Sequence, residues 1–288
     1  FRDRSANPGG KEAYVFYRML KIFLGPILKV LYRPWIKGAE KIPGTGPAIL
    51  ASNHLAVIDS FFLPLMIDRE VVFVGKADYF TGKGLKGAFV KWFMTQVGTI
   101  PIDRSGGKKS QAALQKGLAR LQSGELFGIY PEGTRSPDGR LYRGKTGVAR
   151  LSLRSGAPVI PVAMIGTNIA QPIGTRIPRL HRIGVVIGDP LDFSRYQGME
   201  DDRYVLRAIT DEIMYSLMSL SGQEYVDLYA ADVKNALAAK KNNEDAVATE
   251  PKVEAPGGRQ APQTEVPEPP EDDASAEDNT DSAPSQEQ

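Results

Sequence analysis

A histidine and an aspartate stand five positions apart in Asn53-His54-Leu55-Ala56-Val57-Ile58-Asp59, and His54 is one of only two histidines in the chain. A neutral imidazole is the side chain best suited to take a proton near neutral pH. A carboxylate holding its other ring nitrogen fixes the tautomer that can do so. Five steps along an ideal helix turn through about 500°, so the two side chains would not share a helical face. They meet only if His54 sits in the turn before a helix and Asp59 in its first turns. The flanking sequence permits this, because Pro47-Ala48-Ile49-Leu50-Ala51 predicts a strand ending near Ser52 and residues 55–58 open an apolar helical run to about Ile67. Such a pair is equipped for general-base catalysis. Taken alone, the same spacing also suits a capping polar residue followed by a surface acid.

Three further blocks keep it company: Gly98-Thr99-Ile100-Pro101-Ile102-Asp103-Arg104, Tyr130-Pro131-Glu132-Gly133-Thr134-Arg135-Ser136 and Val159-Ile160-Pro161-Val162-Ala163. Arg104 and Arg135 each fall just past a predicted strand end, as His54 does. In α/β proteins ligands bind at the carboxyl ends of strands, so three strands would deliver these residues to one edge. Arginine presents a planar fork matched to phosphate oxygens. Glu132 could hold an arginine or bind a hydroxyl, and Gly133 lets the backbone turn tightly or approach a ligand. Lys76, after a strand, and Lys145, at a helix start, are further phosphate candidates. The 159–163 block reads as core strand. His181, in a basic loop, is expected to face solvent or headgroups, and Gly82-Lys83-Gly84 lacks the spacing of a phosphate loop.

In this order and at these separations the four blocks resemble the glycerolipid acyltransferase family, specifically its 1-acylglycerol-3-phosphate (lysophosphatidic acid) acyltransferase branch, over residues 42–188. The chain departs from the family's usual pattern at Leu55 and Ala56, where polar residues often follow the histidine. It departs again at Gly144, where a phenylalanine often precedes the lysine. The resemblance implies transfer of an acyl group from acyl-CoA or acyl carrier protein to the free hydroxyl of 1-acylglycerol-3-phosphate, yielding phosphatidic acid. His54 would be the general base and Asp59 its orienting carboxylate, as in a Ser-His-Asp triad. Arg104, Glu132, Gly133, Thr134, Arg135, Lys76 and Lys145 would form the acceptor and phosphate site. Backbone N–H groups near Leu55 could face a developing oxyanion. No cofactor and no metal are implied. The alternatives are an acceptor such as glycerol 3-phosphate, another lysophospholipid or a glycolipid, then a thioester hydrolase or a non-catalytic membrane-binding module.

Composition narrows the classes. The 288 residues contain no cysteine, which excludes disulfides, thiolate zinc sites and cysteine nucleophiles. Residues 241–288 hold thirteen acidic side chains against three basic ones, a net charge of −10, leaving residues 1–240 at +12. A body this basic suits an anionic surface. No nucleic-acid motif or aromatic–basic stacking pattern accompanies it, so the expected partner is an anionic phospholipid bilayer and not nucleic acid.

The elements that must position the candidate residues alternate. Strands are predicted at 47–52, 70–75, 98–102, 125–130, 158–165 and 183–188, and helices at 55–67, 85–96, 109–122 and 145–155. This predicts an α/β fold with a largely parallel central sheet flanked by helices, like the glycerol-3-phosphate acyltransferase fold. A long helical stretch over 201–240 should break near Ser221-Gly222. Residues 1–36 are expected to form an arm and an interfacial helical hairpin divided at Gly25-Pro26. Arg18, Lys21, Lys29 and Arg33 make the segment too charged to span a bilayer. Phe16, Leu20, Phe23, Leu24, Leu28, Leu31 and Trp35 would meet the membrane, with those four cations at headgroup level. The acyltransferase domain is expected over 37–240 and a disordered acidic tail over 241–288, because that composition cannot bury enough apolar surface. The expected location is the cytoplasmic face of a membrane, peripheral or monotopic.

Overall fold

The structure, a computed structural model, describes residues 10–96, 99–102, 108–175 and 177–249. The chain divides into two compact units at Glu244–Asp245, and the strands of the described residues all lie in the first. In chain order the elements begin with α1 (Gly10–Tyr32), β1 (Trp35–Lys37), β2 (Ala48–Ser52), α2 (Asp59–Met66), β3 (Val71–Lys76) and α3 (Asp78–Thr81). Next come α4 (Gly84–Gln96), β4 (Ile100–Ile102), α5 (Lys108–Gln122), β5 (Leu126–Ile129), β6 (Leu141–Tyr142) and α6 (Gly147–Ser155). The last are β7 (Val159–Ile165), α7 (Thr167–Ala170), β8 (Gly184–Ile187), α8 (Arg203–Ser221), β9 (Tyr225–Val226) and α9 (Ala230–Thr249).

Seven strands form one sheet in the order β1-β8-β7-β2-β5-β3-β4. All neighbours are parallel except β7 and β8, so β1 and β8 run opposite to the other five. The strands read as continuous apolar runs because both faces are covered, as parallel sheets require. Alternation then assigns each side chain to a layer. Ala48 and Leu50 of β2, with Leu126 of β5, pack with Phe62, Leu63 and Phe73 on one face. Ile49, Ala51 and Phe127 pack with Leu121, Leu151, Ile209 and Ile213 on the other. The strands and helices expected from the sequence are present within a few residues of their predicted bounds.

Helix α8 starts at Asp202, whose side chain accepts from the Tyr204 and Val205 backbone N–H groups. It ends at Gly222 in the left-handed conformation (φ 68°), where the sequence places its break. Beyond it, β9 pairs with β6 in a small separate sheet, and α9 continues to Thr249. Helix therefore runs eight residues past Lys241, into the segment expected to be a disordered tail. The rest of that segment lies outside the described residues.

The N-terminal expectation needs a second correction. Instead of a hairpin broken at Gly25-Pro26, α1 is one 23-residue helix with Pro26 inside it. Proline forfeits a single helical hydrogen bond there. Packing compensates locally: Gly25 lies against Leu65, and Tyr32 meets Phe62 edge-on at 5.1 Å between ring centroids. Lys21 is half-buried and donates to the Ile67 carbonyl, and burial lowers its pKa. It secures α1 to the body and is not a headgroup cation. Trp35 is likewise no membrane residue; it opens β1, and its indole fills the space a side chain at Gly184 would need. Leu28 packs on the core. The side chains of Phe16 and Leu20 lie outside the described residues.

Candidate active site

Strand β2 ends at Ser52, and the chain enters the site through Asn53, which the fold anchors from both sides. Its side-chain oxygen accepts from Met164 N at 2.7 Å, and its amide donates to the Met164 carbonyl at 3.1 Å and to Gln223 Oε1 at 2.6 Å. His54 follows, buried, with residues 55–58 as a turn and Asp59 as the first residue of α2. The helix starts four residues later than predicted. That delay brings the two side chains together.

His54 Nδ1 donates to Asp59 Oδ2 at 2.9 Å. The same oxygen accepts the backbone N–H groups of Leu55 at 2.7 Å and Ala56 at 2.8 Å. These two donors are therefore engaged by the carboxylate and are not available to an oxyanion, contrary to the expectation. Asp59 Oδ1 is buried without a hydrogen-bond partner among the described residues. Tyr130 lies flat against the imidazole, with centroids 3.8 Å apart and an 11° interplanar angle, and its hydroxyl meets Ser60 Oγ at 2.9 Å. The ring is thus clamped by one hydrogen bond and one aromatic face. Nε2 is the ring nitrogen that Asp59 does not engage. Leu55 and Ala56, which depart from the family's polar pattern, are buried core residues.

Glu132 is placed differently from the sequence reading. It grips no arginine: Oε1 accepts the backbone N–H of His54 and Oε2 that of Tyr142, each at 3.0 Å. It is 1% exposed, and burial pushes its pKa up to about 8 against the opposing pull of those two N–H groups. Ser136 N donates to the His54 carbonyl at 2.7 Å, so both peptide groups of the histidine are tied to the 130–136 segment. Glu132 fixes the backbone of His54 from behind.

Gly133 adopts φ 73°, a left-handed turn that L side chains rarely take, and the Lys145 side chain fills the space beside it. A Cβ at Gly133 would stand 3.1 Å from Lys145 Cε. Thr134 Oγ1 accepts from Lys234 Nζ at 3.0 Å. Arg135 is half-buried and has no ion-pair partner among the described residues. Lys145 and Lys234 therefore gather against the same turn that carries Arg135. Lys234, on α9, was missed from sequence because no motif surrounds it and it lies 100 residues from its partner. Gly144 is small for a local reason: a Cβ there would come within 2.8 Å of Met214 Sδ on α8.

Lys76 ends β3, at the same carboxyl edge as Ser52 and Ile129, while its side chain lies outside the described residues. Arg104 also lies outside them, two residues beyond the end of β4. Among the described residues no group of three or more His, Asp or Glu side chains could hold a metal ion.

The family model described as Acyltransferase matches residues 33–165. The chain is 29% identical over 166 residues to a chloroplastic 1-acyl-sn-glycerol-3-phosphate acyltransferase of Arabidopsis thaliana, covering 57% of this chain and 45% of that protein. It is 32% identical over 183 residues to a 1-acyl-sn-glycerol-3-phosphate acyltransferase of Limnanthes douglasii, covering 59% and 61%. The chain thus spans about half the length of the curated relatives it matches. The fold is shared with the crystal structure of the 1-acyl-sn-glycerophosphate acyltransferase PlsC from Thermotoga maritima. That likeness has a TM-score of 0.54 at 22% identity, over 75% of this chain and 82% of that one. The residues matched by the acyltransferase model contain the His54–Asp59 pair, the turn at Gly133 and the strands that carry them.

Proposed function

We propose that the protein transfers an acyl group from acyl-CoA or acyl carrier protein to the free hydroxyl of 1-acylglycerol-3-phosphate, forming phosphatidic acid. The observation that carries this reading is the His54–Asp59 pair, oriented by hydrogen bonds and stacking at the carboxyl edge of a parallel sheet. The acceptor hydroxyl gives its proton to His54 Nε2 as its oxygen attacks the thioester carbonyl. The thiolate then leaves and takes the proton back as the free thiol. Asp59 stabilises the imidazolium between these steps. General-base action of this kind is worth roughly 10²–10⁴-fold in rate.

Lys145 lies against Gly133 and Lys234 donates to Thr134, on the turn that carries Arg135, and the three cations suit a phosphomonoester on the acceptor. Arg104 and Lys76 belong to the same proposed group. Leu55 and Ala56 are buried and their backbone N–H groups serve Asp59, so the departure from the family's pattern there does not by itself argue for another substrate.

The reaction is placed at a bilayer surface. No helix among the described residues is long and apolar enough to cross a membrane. On α1, however, Ile22, Phe23, Ile27, Val30 and Leu31 are exposed beside Arg18, Lys29 and Arg33. Apolar rings and chains with flanking cations are the composition of an interfacial helix. Peripheral attachment at the cytoplasmic face of the membrane is part of the same proposal. The test is an acceptor panel with radiolabelled acyl-CoA and acyl carrier protein donors. Lysophosphatidic acid should be consumed and phosphatidic acid formed. Fatty acid released without consumption of acceptor would replace the transferase reading with a hydrolase.

A further inference from the structure

The chain carries no acidic residue between Asp138 and Asp189, and the part of this stretch that follows β7 is both basic and apolar. Along residues 166–183, Ile169, Ile173, Ile177 and Leu180 are exposed, Ile177 to 83% and Leu180 to 67%. Arg179 and Arg182 are exposed among them, and Arg176 lies in the same run of sequence. A soluble surface loop has no need of four bare large aliphatic side chains within twelve residues. Large apolar groups interspersed with cations are what an anionic lipid surface selects.

The loop is also fixed to the catalytic machinery. Gln171, buried beneath it, accepts from the backbone N–H of Ile58 at 3.2 Å, inside the turn that separates His54 from Asp59. Arg179 N donates to the Ala170 carbonyl at 2.7 Å, and His181 packs against Gly166. The far end of the loop meets the end of α1, because Trp35 N donates to the Ile183 carbonyl at 3.0 Å as β1 and β8 begin side by side. Since β1 and β8 run opposite to β2 and β7, their first residues lie at the edge where β2 delivers His54.

We infer that residues 166–183 are a second bilayer-contacting element, continuous with the exposed end of α1, which sets the mouth of the His54 site at an anionic phospholipid surface. This deepens the proposed function and rests on it for the lipid nature of the acceptor. The occupant is the bilayer and not the acidic segment beyond Thr249. That segment complements the loop's charge, but its largest aliphatic side chain is valine and it has no aromatic residue to cover four isoleucine and leucine side chains.

The test uses the full chain and the double variant Ile177→Ser/Leu180→Ser, checked for unchanged circular dichroism and thermal unfolding. A companion variant, Arg179→Gln/Arg182→Gln, isolates charge. Co-sedimentation is measured on vesicles of phosphatidylcholine alone and of phosphatidylcholine with phosphatidylglycerol. Burial of two large aliphatic side chains predicts a loss of binding of about ten-fold or more for the serine variant on both vesicle types. The glutamine variant should lose binding only on the anionic vesicles. In acyl-transfer assays the serine variant should fail on vesicle-held acceptor and keep wild-type turnover on a short-chain, monomeric acceptor. Unchanged vesicle binding in both variants, or an equal loss of activity on the two acceptors, overturns the inference. Because the binding measurement needs no catalysis, a chain that proves inactive on lysophosphatidic acid would defeat the proposed function and leave this result readable.

Discussion

Glu132 holds His54 by its backbone and not by its ring: one carboxylate oxygen accepts the His54 N–H, and the other accepts that of Tyr142 on β6. The acid of the Glu-Gly-Thr-Arg block therefore connects two peptide segments behind the His54–Asp59 pair. Glu132→Gln keeps the shape but replaces one acceptor with a donor, which then faces an N–H. Leaving a buried donor unmatched costs about 1–3 kcal/mol. The variant should lose stability on this scale in urea unfolding and should lose turnover as His54 shifts. Unchanged stability with lost turnover would instead make Glu132 a group that meets substrate.

The same residue gives a pH dependence with a definite sign. Its pKa in the folded protein is about 8, raised from an ordinary 4.5. Between these values the folded state holds a proton that the unfolded chain has released, so stability falls as pH rises through this window and levels off above it. Urea midpoints measured from pH 5 to 9 should follow this decline, and Glu132→Gln should flatten it. A slope that survives in the variant assigns it elsewhere.

His54→Ala should reduce acyl transfer by about 10²–10⁴-fold. Because His54 is buried against Tyr130, it should also lose the stacking contribution of about 0.5–1.5 kcal/mol. A histidine on an open turn would carry no such loss. Asp59→Asn can keep its one oxygen on the His54, Leu55 and Ala56 N–H groups, and with it the tautomer, but it removes the negative charge that would stabilise the imidazolium. Turnover should fall steeply with little change in unfolding midpoint. Wild-type turnover in folded His54→Ala would remove the general base from the mechanism.

Arg135→Ala and Lys234→Ala should weaken use of lysophosphatidic acid while leaving the KM for the acyl donor in place. A charged hydrogen bond is worth roughly 1.5–3 kcal/mol, so acceptor KM should rise about ten-fold or more. Lys234→Arg should recover much of the loss. Equal effects on a neutral acceptor would show that these cations do not bind phosphate.

Much of this was legible in the residues. The apolar runs of β2, β5 and β7 announce strands buried on both faces, and helix geometry alone requires His54 to stand before the helix, although α2 begins at Asp59 and not at Leu55. The strands missed, β1, β6 and β9, are two or three residues long and exist only through pairing with β8 or with each other. No local periodicity marks them. The continuity of α1 through Gly25-Pro26 depends on Leu65 and Ile67, contacts that lie some forty residues away in sequence. Within the site, Glu132 was recognised but given the wrong task, since an acidic letter does not reveal that both oxygens face backbone N–H groups. Lys234 could be found only once α9 was in place.

The clamp on His54 bears on the order in which the substrates arrive. Asp59 and Tyr130 hold the imidazole, and two peptide tethers hold its backbone, all from within the protein. Neither donor nor acceptor is therefore required to assemble the base for the other. Initial rates measured over a grid of both concentrations should give the intersecting lines of a ternary-complex mechanism, and product inhibition should show that neither substrate is obliged to enter first.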